Sequence, residues 1–142
     1  MKAKHKRLFD KIKKLNLHDM FYINAGGCGA FALMVMEIFK NVRVRRPLEV
    51  VYCDLNEPYA PYHNAPYHIM LTDGEYYYDS DGQHTHRQVR REFEEFVIAS
   101  EEELKELVDD PDNWNDDFNR NDIDEIKELV ERAAISVKVL AA

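Results

Sequence analysis

Two cysteines in 142 residues are too few for a disulfide framework or a four-cysteine zinc site. Apolar runs are short, and none approaches the ~18 residues that a membrane span needs. The basic N-terminus is not followed by an apolar segment of the length a signal peptide requires. A reducing, cytoplasmic setting is therefore expected, with no membrane partner. Glycine and proline number five each, which excludes collagen-like and linker-like chains. Positive charge is in deficit: the formal net charge is −8, so bulk binding of nucleic acid through phosphate contacts is not expected. What the chain does have is 45% hydrophobic and 32% charged residues. That is globular composition, and the length suits a single domain over 1–142.

The charge is unevenly placed. Residues 1–14 carry seven basic side chains against Asp10 alone, a local net of +6. Residues 92–131 carry seventeen acids against Lys105, Arg120 and Lys127, a local net of −14. Charge runs are usually solvated faces, so the expectation is a dipolar molecule whose basic first helix lies near its acidic part. The acidic region 87–134 could also dock a basic protein partner.

Residues 3–16 read as a helix with Leu8, Ile12 and Leu15 on one stripe. A connector over 17–27 ends in Gly26-Gly27, which permits a tight turn. The run from Cys28 to Lys40, CGAFALMVMEIFK, is apolar on every face and too long for one strand, so it reads as a buried central helix. Leu48–Cys53 and Tyr67–Thr72 read as strands. Asp73-Gly74 signals a hairpin into a third strand over Glu75–Asp79. Arg87–Ile98 reads as an amphipathic helix. Ser100 with Glu103 makes a capping box for a helix to about Val108, and Asn121 can cap another to about Ala134. Ile135–Leu140 alternates like a last strand. LKELV at 104–108 and IKELV at 126–130 echo each other, but two copies do not establish a repeat. The class expected is α+β: a buried helix on a small antiparallel sheet, with a core over about 20–82, a C-terminal strand and added acidic helices over 87–134.

Cys28 follows a double glycine and opens the buried helix. Unpaired backbone N–H groups and the positive end of the helix dipole favour a thiolate there. The flanking Gly27 and Gly29 would let a substrate approach and let backbone N–H groups face an oxyanion. Cys53, inside LEVVYC, has no such surroundings and reads as core. A thiolate nucleophile needs a base, and the base an orienting acceptor. His68 begins one strand and Asp79 ends the next. Counting outward from the turn puts His68 opposite Asp79 or a neighbour, within reach on one face. Asp81 could substitute.

The order GGCGAFALMVMEIF, then HIML, then DGEYYYDSDG resembles the papain-like cysteine peptidase and transglutaminase-like superfamily, over about residues 24–82. The resemblance implies Cys28 as nucleophile, His68 as base and Asp79 as orienter, with Asn24 assisting the oxyanion hole. Gly29 and Ala30 stand where the family usually has a tryptophan beside the cysteine. It implies a thiol-dependent hydrolase or acyltransferase acting on an amide or peptide bond of a peptide or protein substrate, without a cofactor.

Other readings use other residues. Tyr59, Tyr62 and Tyr67, on the proline-rich loop 54–66 and just after it, either line a substrate cleft or pack that loop on the sheet. Asp79, Asp81, His84 and His86 lie close enough in sequence to bind a metal ion, although no known ligand motif supports this. GGCG lacks the lysine and spacing of a phosphate-binding loop. From a different class comes a non-catalytic interaction module using the acidic helices on the same scaffold. The short chain also leaves room for a homodimer.

Overall fold

The computed structural model describes residues 4–23, 27–55, 68–110 and 118–141. Its class is α+β. In chain order the elements are α1 (Lys4–Lys13), α2 (Leu17–Phe21), α3 (Cys28–Phe39), β1 (Glu49–Asp54), β2 (His68–Thr72), β3 (Tyr76–Asp79), β4 (Gly82–Thr85), α4 (His86–Glu92), β5 (Glu95–Ala99), α5 (Glu101–Asp109) and α6 (Ile123–Ser136). The strands form one antiparallel sheet in the order β4-β3-β2-β1-β5.

Side chains alternate across a strand, so the register sorts the sheet into two faces. Val50, Ile69, Leu71, Tyr78 and Ala99 lie on one, in the large core cluster. Against that core, α3 packs on β2 and also contacts α5 and α6, while α1 contacts β4 and α6. The α3 helix buries Ala30, Phe31, Ala32, Met34, Val35, Ile38 and Phe39, as expected of a helix apolar all round. On α1, Leu8, Phe9 and Ile12 are fully buried among lysines. The opposite face carries a smaller cluster of Val51, Cys53, Met70 and Val89, flanked by Tyr77, Phe93 and Phe96.

Several expectations need correction. The helix expected over 87–98 is two elements. A reciprocal capping box of Thr85 and Gln88 starts α4. The chain turns extended at Phe93, and the aromatic and β-branched run Phe96-Val97-Ile98 pairs with β1 as β5. The connector 17–27 contains the short helix α2, bounded by Asn16 and Tyr22 in the left-handed region, at φ 51° and 56°. The C-terminal strand expected over Ile135–Leu140 is absent. Instead α6 continues to Ser136 and closes with Lys138 at φ 62°. Val139 N–H donates to the Ala134 carbonyl at 2.8 Å and Lys138 N–H to that of Ile135 at 3.0 Å. This pair of bonds is a Schellman closure, and it tucks Val139 into the core. Asn121 does not cap α6. Asn119 accepts from its backbone N–H in a short 3-10 turn over Arg120–Asp122 that leads into the helix. Ser100 does cap α5, accepting the Glu103 N–H at 3.0 Å.

Among the described residues, no helix is long and apolar enough to cross a membrane.

Candidate functional site

The β2–β3 turn fixes the site. Asp73 Oδ1 accepts the backbone N–H groups of Glu75 and Tyr76, both at 2.9 Å. Gly74 takes the positive φ of 93° that the turn requires. With these bonds the connection spans four residues, and the strands resume pairing at Thr72–Tyr77 and Leu71–Tyr78. Counting back along that register sets Asp79 across from Met70, not across from His68. The hairpin is therefore two residues out from the register that would oppose His68 and Asp79 directly. The two are diagonal neighbours on one face, still within side-chain reach.

That reach is realised. His68 Nε2–H donates to Asp79 Oδ2 at 2.9 Å. The Cys28 side chain lies near enough to the imidazole to help raise its proton affinity. Since Nε2 is taken by Asp79, any bond from the ring to the sulfur would have to be made by Nδ1. Phe93 stacks on the ring at 5.8 Å, nearly parallel, and fixes its plane. Cys28 is half-buried at the first position of α3. Gly27 precedes it as the N-cap and, having no side chain, does not itself take the first-turn N–H groups. Imidazole and carboxylate are bonded, and the thiol is close enough to act on the ring; the three come from a helix start, a strand start and the end of the adjacent strand.

Electrostatics follow from the geometry. Burial works against a charged His68, but the hydrogen bonds and charges of Asp79 and Cys28 outweigh it and raise the imidazole to about 10. Burial likewise opposes the Asp79 carboxylate, yet two imidazole donors hold it well below the usual carboxylate range. The second donor is His84, whose Nε2–H lies 2.8 Å from Asp79 Oδ1. The Asp81 backbone N–H donates to the same oxygen at 2.9 Å. Cys53 pairs with His68 across β1 and β2 and is fully buried. Burial, then the neighbouring Cys28, Asp54 and Asp79, push its thiol up to about 12. It is a core residue, as expected.

The glycines beside Cys28 serve packing. A Cβ on Gly27 would stand 2.5 Å from the Phe118 ring, and one on Gly29 would meet Ile69 at 3.1 Å and Val108 at 3.3 Å. The space that the sequence suggested for a substrate at these two positions is filled by the protein's own side chains. Glycine lets the start of α3 sit tightly against β2, α5 and Phe118.

Asn24, Tyr59, Tyr62 and Tyr67 lie outside the described residues. The histidines and carboxylates considered for metal binding are engaged differently. His84 is committed to Asp79, and His86 stacks on Tyr77 and hydrogen-bonds its hydroxyl at 3.0 Å. Among the described residues, no group of three His, Cys, Asp or Glu side chains is placed to hold a metal ion. Sequence reasoning missed His84 as a partner of Asp79. The signal was present in the tight Asp81-Gly82 turn, which folds β4 back so that His84 shares the face of Asp79.

Comparison with protein-family models, with curated proteins and with solved structures finds no match to this chain.

Proposed function

We propose that the protein is a thiol-dependent hydrolase of amide bonds, with a compact papain-like arrangement. The observation that carries this reading is the grouping of Cys28, His68 and Asp79, with His68 bonded to Asp79 at 2.9 Å and its proton affinity raised by both neighbours. Cys28 Sγ attacks the carbonyl carbon of a peptide or isopeptide-like amide. The developing oxyanion is met by backbone N–H groups at the start of α3, where the helix dipole favours negative charge. His68 Nδ1–H protonates the leaving amine. The imidazole then takes a proton from the water that attacks the thioester, and Cys28 is released. Asp79 holds the ring in the required tautomer and supports its positive charge. An amine in place of water would make the same intermediate a transferase step. Cys53 cannot substitute, because its buried thiol resists ionisation.

Iodoacetamide labelling followed by peptide mass spectrometry tests the reading. Cys28 should alkylate near neutral pH well before Cys53, and His68→Ala should abolish that lead. Slow, equal labelling of both cysteines in the wild type would sink the enzyme reading and favour an interaction module built on the acidic helices.

A further inference from the structure

Asp79 is shared. Its two carboxylate oxygens go to two different imidazoles, Oδ2 to His68 and Oδ1 to His84. The carboxylate is nearly buried, so it has few alternatives in solvent. A carboxylate that receives one imidazole can still turn about its own Cβ–Cγ bond. A second donor on the other oxygen, reinforced by the Asp81 N–H, fixes that rotation and so fixes the direction in which His68 is held. The strand pairing supports this: His84 and Tyr77 are directly opposed, and Gly82 opposes Asp79, so the β4 backbone delivers His84 to this oxygen.

We infer that His84 is a positioning residue of the Cys28–His68–Asp79 set, acting through Asp79 to orient His68 and to tune its charge. The inference rests on the thiol-enzyme reading for its consequence at Cys28, but the coupling between the two histidines stands by itself. Two imidazolium groups on one carboxylate repel each other, so a proton on His84 weakens the hold on a proton at His68. Among the described residues the carboxyl groups that favour the charged form of His84 are Asp79, to which it is bonded, Asp81 in the turn and Glu92 on α4. His84 is also the more exposed of the two rings, at 26% against 12% for His68. It is the ring that exchanges protons with solvent more readily, and Asp79 carries the effect inward.

The test uses two variants and one measurement on the unaltered chain. His84→Ala removes the donor to Oδ1. His84→Gln places a neutral N–H where Nε2 stood. Cys28 alkylation by iodoacetamide should slow several-fold in His84→Ala and recover in His84→Gln, each checked for folding by thermal melting. Because Gln carries no charge, the site loses a nearby cation that favours the thiolate, and the acid side of the alkylation profile should also shift to higher pH in that variant. If His84→Ala fails to fold, imidazole NMR of the wild type decides alone. Between about pH 5 and pH 9 the His68 ring resonances should move in step with the titration of His84. Alkylation in His84→Ala as fast as wild type, no recovery in His84→Gln, or His68 resonances indifferent to His84 would each overturn the inference. A Cys28 indifferent to His68→Ala, with the two histidine titrations still coupled, would instead remove the enzyme reading and leave the histidine pair standing.

Discussion

Ile69 and Met70 are neighbours in β2, yet they serve different halves of the molecule. Ile69 points at Gly29 in α3, into the large core under the helices. Met70 points the other way, into a cluster of four buried residues capped by α4. Helices α1, α3, α5 and α6 bury enough apolar surface on the first side for it to be held by the hydrophobic effect. The second side has little of that, and what it has in addition is ionic: a carboxylate between two imidazoles. His68, Asp79 and His84 lie on the thinly packed face, and Cys28 belongs to the start of α3, which packs on the large core. A large core can position a site without sharing its interior with charge.

The widest test of that division removes the ionic centre. Asp79→Ala leaves two partly buried imidazoles without their acceptor, and breaking a buried pair this way costs about 3–5 kcal/mol. Denaturant unfolding should show that loss at neutral pH. The pH dependence has a defined sign. His68 is raised above its ordinary 6.5 towards about 10, so its stabilisation is complete below 6.5 and lost as pH rises through the folded value. Asp79 is lowered from 3.8, so its contribution is present above 3.8 and lost as pH falls towards the folded value. In Asp79→Ala the dependence due to Asp79 should disappear, and that of His68 should shrink as burial is left opposed by Cys28 alone. A variant as stable as wild type would mean that the second face needs no ionic support.

Truncating the two neighbours compares the faces directly. Ile69→Ala opens a cavity in the larger core, where the surroundings are least able to collapse, and should cost about 3–5 kcal/mol; Met70→Ala, in the smaller cluster, should cost about 2 kcal/mol. Equal losses would erase the distinction. At the junction of helix and site, Gly27→Ala drives a methyl group into the Phe118 ring and should cost about 1–3 kcal/mol. Melting temperature and Cys28 labelling measured on the same samples would show whether that packing also sets the position of the thiol.

The first face was the more legible in the sequence. The buried α3 helix, the stripe on α1 and strands β1 to β3 follow from periodicity and composition, which report burial directly. The Cys28, His68 and Asp79 grouping was readable because chain order and a hairpin bring it together. The register itself was not. It depends on Asp73 accepting two N–H groups and widening the turn, a choice that strand patterns do not encode. β5 was hidden for a related reason: Arg87–Ile98 has helical spacing, and only pairing with β1 makes its second half a strand. Ile135–Leu140 alternates as a strand would, but the alternation places Val139 in the core beyond a Schellman turn. His84 escaped notice because its partner is set by β4 folding back.

The smallest effect concerns the exception on the first face. His5 is buried between Phe39 and Tyr78, with ring centroids at 5.0 and 5.7 Å. Among the described residues neither ring nitrogen has a hydrogen-bond partner, and Nδ1 stands 3.6 Å from Asp73 Oδ2. That oxygen is occupied by the Tyr78 hydroxyl at 2.8 Å. Burial lowers the proton affinity of His5 below its ordinary 6.5, and the nearby Asp73 only partly opposes this. The sign is the reverse of that for His68. The unfolded chain binds the proton first as pH falls, so the stabilisation from a neutral His5 is present above 6.5 and lost as pH falls through the folded value. His5→Phe keeps an aromatic ring against Phe39 and Tyr78 and removes the titration. The stability difference between wild type and His5→Phe should therefore move in favour of the variant as pH drops below 6.5, while His68 and His84 cancel in the comparison. A difference that does not change with pH would mean that Asp73 captures the His5 proton, and that both faces of the sheet are charged where the strands meet their turns.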